Sequence, residues 1–338
     1  MSKRALSILS ALSLFAAPAM ARAADDAEAW TTSETALRAP AAGIALPMTV
    51  AGLSLSKSGE ASNGGKAIDN VAQYLSEDGA VQATLYIYLP SYADTAIAAY
   101  MTDKAIMERF GTKTRRTAYA SAPAAGRAGT AIRAVYDDAG DGTLVTAAGF
   151  VHAGRWMVKL RVTGPTEQRK DVVAGLDAML AALQVDDPAT LHAAAPARFS
   201  ACPAADDGDA TLTDRAPSAR PQAAIAPATA FCVRGKVATG DGDFDLLQQV
   251  GVAQALVIVP VDDSGTVVSF APTGAGYQLA IHAIGQTDLF GVYDKLPSAR
   301  QIGAIVDGDD PSLAQAGATA DYAANGQVTM RTGDAKAR

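Results

Sequence analysis

Histidine is the side chain most ready to move a proton near neutral pH, and this chain carries three: His152, His192 and His282. None stands in an H-x-x-H, H-x-H or HExxH spacing, so no local signature of a zinc hydrolase exists. A catalytic His282 would need a nucleophile and an orienting acid from distant segments, and no G-x-S-x-G elbow presents a serine to it. Its place in YQLAIHAI, out of step with Leu279, Ile281 and Ala283, predicts a side chain that leaves the core face. Ser54-Leu55-Ser56-Lys57 has the S-x-x-K spacing of penicillin-recognising serine enzymes, but the accompanying S-D-N and K-T-G elements are absent. GEASNGGKA (59–67) has the composition of a phosphate loop without its spacing. Glu60 stands where the first glycine belongs, and Ala67 replaces the hydroxyl that would hold magnesium. No catalytic residue is assigned, and no cofactor motif is found.

Asp241, Asp243 and Asp245 alternate in DGDFD, a set of oxygen ligands that suits calcium. The segment fails as an EF-hand loop, because Leu246 replaces the central glycine and Val252 the closing glutamate. The plainer expectation is a turn followed by the acidic start of a short helix over DFDLLQQVG.

GFVHAGRWMVKLRVT (149–163) reads as two antiparallel strands about a turn at His152–Arg155. If Trp156, Val158, Leu160 and Val162 face the helices, Lys159 and Arg161 face away. The same alternation sends Tyr86 and Tyr88 outward, and Arg133 with them if Ile132, Ala134 and Tyr136 point inward. Cations beside tyrosines form a candidate partner-binding face; the alternative is the ordinary solvated side of an antiparallel sheet.

The elements that must position these residues are spread over 338 residues. Lys3 and Arg4, the apolar run ALSILSALSLFAA and Ala21-Arg22-Ala23 read as a secretory signal peptide over 1–23. The apolar run is too short to span a bilayer, and no later segment is long enough. The expected location is therefore a bacterial periplasm or the exterior. Cys202 and Cys232, the only cysteines, are expected to pair in such a compartment. The net charge of −7 argues against nucleic acid and anionic membrane surfaces as partners.

Charge divides the rest. Residues 24–44 read as a loose helix or arm. Residues 45–186 balance 14 cations against 14 acids, whereas 187–338 set 17 aspartates and no glutamate against 10 cations. That shift, with the Ala/Pro-rich linker at 187–230, predicts two folding units and a disordered tail at 333–338.

In the first unit, VAQYLS and VQATLYIYL flank the turn Glu77-Asp78-Gly79. A helix follows over about 94–110 with Asp94 as its N-cap and Gly111 as its stop. Four strand-like runs come next. A helix over about 166–183 closes the unit, with Val172, Val173, Leu176, Met179, Leu180 and Leu183 on one stripe. The fold class is α+β: an antiparallel sheet with two helices on one face, then a smaller β-rich α+β domain over 231–332. The second domain includes a helix at PSARQIGAIV and a hairpin at Asn325-Gly326.

The order β-β-α-β-β-β-β-α, with the crossover after LYIYLP and the last helix after KLRVTGP, resembles the PsbP/Mog1-like α+β sandwich group. That resemblance implies an accessory or binding module and transfers no functional residue. The expected function is an exported two-domain binding or accessory protein, non-catalytic, that recognises a protein or small ligand of the cell envelope. The sheet face or the interdomain groove would be its site, and the acidic second domain would itself dock on that face over Arg133, Lys159 and Arg161. The alternatives are an envelope hydrolase with a site assembled between the domains, from His282 or the aspartates, and a structural envelope component.

Overall fold

The computed structural model describes residues 28–62, 65–203, 208–214, 216–217, 230–310, 313 and 315–332. The leader at 1–23 and the tail at 333–338 lie outside the described residues.

The first sheet has eight strands. Four precede the first helix: β1 (Thr49–Val50), β2 (Leu53–Glu60), β3 (Asp69–Leu75) and β4 (Gln82–Tyr88). Helix α1 (Thr95–Phe110) starts at Asp94, whose carboxylate accepts the N–H groups of Ala96 and Ile97. After it come β5 (Arg115–Ala124), β6 (Arg127–Asp138), β7 (Leu144–Ala153), β8 (Trp156–Pro165) and helix α2 (Arg169–Ala182). The strand order is β1-β2-β3-β4-β8-β7-β6-β5, antiparallel throughout.

This order puts the two helices on opposite faces, not on one. Helix α1 crosses over β8, β7 and β6 to reach the far edge, and packs Ala99 and Ile106 on Ile132, Ala134, Tyr136, Ala148 and Phe150. The chain then meanders back to β8, so α2 must return over the other side. There Val172, Leu176, Met179 and Leu180 share one dry core with Leu85, Ile87, Val145, Val151, Val158 and Leu160. Helix and sheet approach closely enough that a Cβ on Gly149 would come 3.0 Å from Leu180. The sequence signal for two covered faces is the nearly unbroken apolar run of β7, every residue of which is buried after Leu144.

The segment read as a loose helix or arm is a β-structure where described. Ala36–Ala39 and Ile44–Pro47 pair as a hairpin, which Gln184–Val185 extends. Leu37, Ile44 and Leu46 are fully buried in the α2-side core. Burial of three large aliphatic side chains outweighs the low intrinsic strand preference of an Ala-rich stretch.

The second sheet has ten strands. Its main run is β9 (Phe231–Thr239), β10 (Gly242–Gln249), β11 (Val257–Pro260), β12 (Val267–Thr273), β13 (Gly276–Ala283) and β14 (Gln286–Tyr293). Helix α3 (Ala299–Val306) follows, capped by Ser298 and Gln301, and then the hairpin β15 (Ala318–Tyr322) and β16 (Val328–Thr332). The predicted turn at Asn325-Gly326 closes that hairpin. DFDLLQQVG is strand, not helix: Leu246 faces α3 while Leu247 faces α1, so both sides of the strand are buried.

Helix α1 lies between the two sheets. Its Ile97 and Met101, with Tyr92, pack on Phe231, Leu247, Ile258 and Val267 of the second sheet. The layers therefore run α2, first sheet, α1, second sheet, α3. Part of the segment read as linker is built into this body. Leu191 and Ala194 are buried, Ser200–Ala201 pairs in parallel with β9, and Leu212–Asp214 pairs with β14. Cys202 and Cys232 form a disulfide beside that parallel pair. Among the described residues no helix is long and apolar enough to cross a membrane.

Candidate functional site

Four of the five predicted binding residues share a face, and the fifth does not. Lys159 stands opposite Tyr86 and Met157 opposite Tyr88, so Tyr86, Tyr88, Lys159 and Arg161 project together toward the second sheet. Arg133 departs from that grouping. Ile132, Ala134 and Tyr136 do point to a helix, but that helix is α1, so Arg133 emerges on the α2 side. There its guanidinium donates to Asp177 at 2.5 and 3.1 Å.

The shared face is a seam rather than an open surface. The β11–β12 turn is held by Asp262 Oδ1, which accepts the N–H groups of Ser264, Gly265 and Thr266, each at 3.0 Å. This well-bonded turn presents Asp263 to Lys159. Lys159 is only 6% exposed. Its ammonium donates to the Asp263 carbonyl at 2.7 Å and carboxylate at 3.3 Å, and sits 4.9 Å from the centre of the Tyr86 ring. Burial pulls its pKa below the ordinary lysine value, with Asp263 opposing. Tyr88 is buried. Arg161 is half-buried and borders a groove of about 450 Å³ with Arg109, Glu108 and Asp263.

Of the alternating aspartates, only Asp245 turns its side chain to the seam. Asp245 accepts the Tyr100 hydroxyl and lies 3.7 Å from Lys104, which donates to the Asp243 carbonyl at 3.3 Å. Asp241 is in the exposed β9–β10 turn. Among the described residues no three His, Cys, Asp or Glu side chains are grouped to hold a metal.

His282 is buried, contrary to the expectation from alternation, because both faces of its strand are covered. Its Nε2 is 2.8 Å from Ser269 Oγ and its Nδ1 3.1 Å from Thr287 Oγ1, with Tyr92 edge-on at 5.7 Å. This is nucleophile-to-base spacing, but the orienting group is a hydroxyl and Ser269 is 2% exposed. Burial lowers the His282 pKa to about 4, so the ring is neutral at pH 7. His152 stacks on His192 with ring centres 4.1 Å apart. Burial, then the neighbouring His192, lowers the His152 pKa to about 4.

A second concavity lies elsewhere along the same junction. A cavity of about 550 Å³ opens between the start of α1, residues 193–199 and the start of β9. Asp94, Thr95, Ser121 and Arg198 are its polar lining residues, and Phe199 and Phe231 its aromatic ones. Asp94 is legible from sequence as a helix cap, but its place in a cavity wall is not. Phe199, an aromatic residue inside an Ala/Pro-rich stretch, is the sequence signal for the cavity wall. No family model, curated protein or solved structure matches this chain.

Proposed function

We propose that this is an exported, non-catalytic binding or accessory protein whose recognition site is the 550 Å³ cavity at the start of α1. The cavity itself carries the reading. It has the size of a small-ligand site, a mainly apolar wall and a few convergent polar groups, at a junction between two sheets. The leader-like N-terminus and the Cys202–Cys232 disulfide support export. The cationic-tyrosine face supports the reading only indirectly, because Lys159 is engaged in holding the junction together.

Native mass spectrometry of the protein from its own source tests this. An adduct is expected on the parent chain and should vanish in Ala195→Trp, which fills the cavity from its exposed side. An adduct that persists in the variant places the site elsewhere. The 2.8 Å Ser269–His282 contact favours a second reading, hydrolysis at the junction. Ester turnover that disappears in Ser269→Ala would select it.

A further inference from the structure

We infer that the cavity at the start of α1 takes a ligand bearing a cationic amine, with its ammonium at Asp94 and an apolar body against Phe199 and Phe231. This rests on the reading of the cavity as a binding site. Two observations converge on the charge.

The first is the state of Asp94. The residue is only 6% exposed, yet no lysine or arginine lies within 4 Å of its carboxylate among the described residues. Both of its hydrogen bonds, from Ala96 N–H at 2.8 Å and Ile97 N–H at 3.1 Å, end on Oδ1. Oδ2 therefore keeps its acceptor capacity on a residue that lines the cavity. A buried carboxylate is costly unless a positive or donor-rich group meets it. Burial already raises its pKa, in the direction of an uncompensated charge.

The second is the aromatic wall. Phe199 is held edge-on by Tyr100 at 5.0 Å, and Phe231 is anchored in the core between the sheets. Aromatic faces attract cations and accept apolar groups, but they do not attract anions. An anionic ligand at the helix N-terminus is disfavoured for another reason: Asp94 already occupies that position. Arg198, exposed at the outer side, favours a neutral or anionic outer end over a second cation.

Calorimetric titration of the full chain with benzylamine, benzyl alcohol and benzoate tests the charge preference at constant shape. Benzylamine should bind about ten-fold tighter than benzyl alcohol, and benzoate weakest. Asp94→Asn keeps a capping oxygen for the helix. It should erase the preference for benzylamine and leave benzyl alcohol binding unchanged. Affinity for benzylamine should also fall as acid protonates Asp94. If Asp94→Asn does not fold, Phe199→Leu replaces it, with a several-fold loss for benzylamine and less for benzyl alcohol. Equal or tighter binding of benzyl alcohol or benzoate overturns the amine assignment while keeping the cavity as a binding site. If none of the three binds, and native mass spectrometry finds no adduct, the cavity reading falls and the amine assignment falls with it.

Discussion

The two faces of the first sheet are built from the same strands and do different work. The α2 face is a dry aliphatic layer: Leu85, Ile87, Val158, Leu160 and Val162 against Val172, Leu176 and Met179. The other face mixes apolar contacts to α1 with Lys159, Tyr86, Tyr88 and Arg161, and is completed by the second sheet. The first face is held by non-directional burial. The second adds to its apolar contacts specific polar ones placed by the Asp262–Gly265 turn, which fix how the second sheet sits there.

Substitutions should separate the two. Leu160→Ala on the dry face is expected to cost about 2–5 kcal/mol in urea unfolding. A loss below about 1 kcal/mol would mean that this face is not the main stabilising layer.

Acid should act on the junction side. His152 and His282 have folded pKa values of about 4 against an ordinary 6.5. A neutral, buried histidine stabilises fully above the unfolded value. That contribution is lost as pH falls from about 6.5 toward about 4, by at most about 3 kcal/mol per residue. The paired variant His152→Asn/His282→Asn should flatten the stability profile in that window. A profile as steep as the parent's would assign acid sensitivity to other groups.

Lys159→Met keeps the aliphatic stem and deletes the charge. It should cost about 1–3 kcal/mol, because the Asp263 carbonyl loses its donor while the carboxylate stays partly solvated. Faster hydrogen exchange at the β11–β12 turn, with the α2 face unchanged, is the pattern that a local seam predicts. Arg133→Gln removes a half-exposed pair with Asp177 and should change stability by roughly 0.5 kcal/mol. An effect as large as that of Lys159→Met would erase the distinction between the faces.

Much of the first half is readable from sequence. The helix cap at Asp94, the α2 stripe and the hairpin turn at Glu77-Asp78-Gly79 follow from local chemistry and periodicity. The side on which each helix packs does not follow, because alternation says that two faces differ and not which neighbour covers each. For that reason sequence alone groups Arg133 with Lys159 and sends His282 to the surface. DFDLLQQVG misleads differently. Its adjacent leucines fit a short helix as well as a doubly buried strand, and only the tertiary partners decide. The cavity is least legible, since Asp94, Phe199 and Phe231 are far apart in the chain.

Helix α1 has a consequence for how the chain must assemble. One of its sides is covered by strands that flank it, whereas Ile97 and Met101 wait for Phe231, Leu247, Ile258 and Val267 far downstream. A chain made from its N-terminus therefore carries a bare apolar stripe until its second half arrives. Cutting after residue 186 would leave that stripe permanently uncovered, and the fragment should self-associate. The boundary that charge and composition draw through this sequence thus separates a helix from half of its cover.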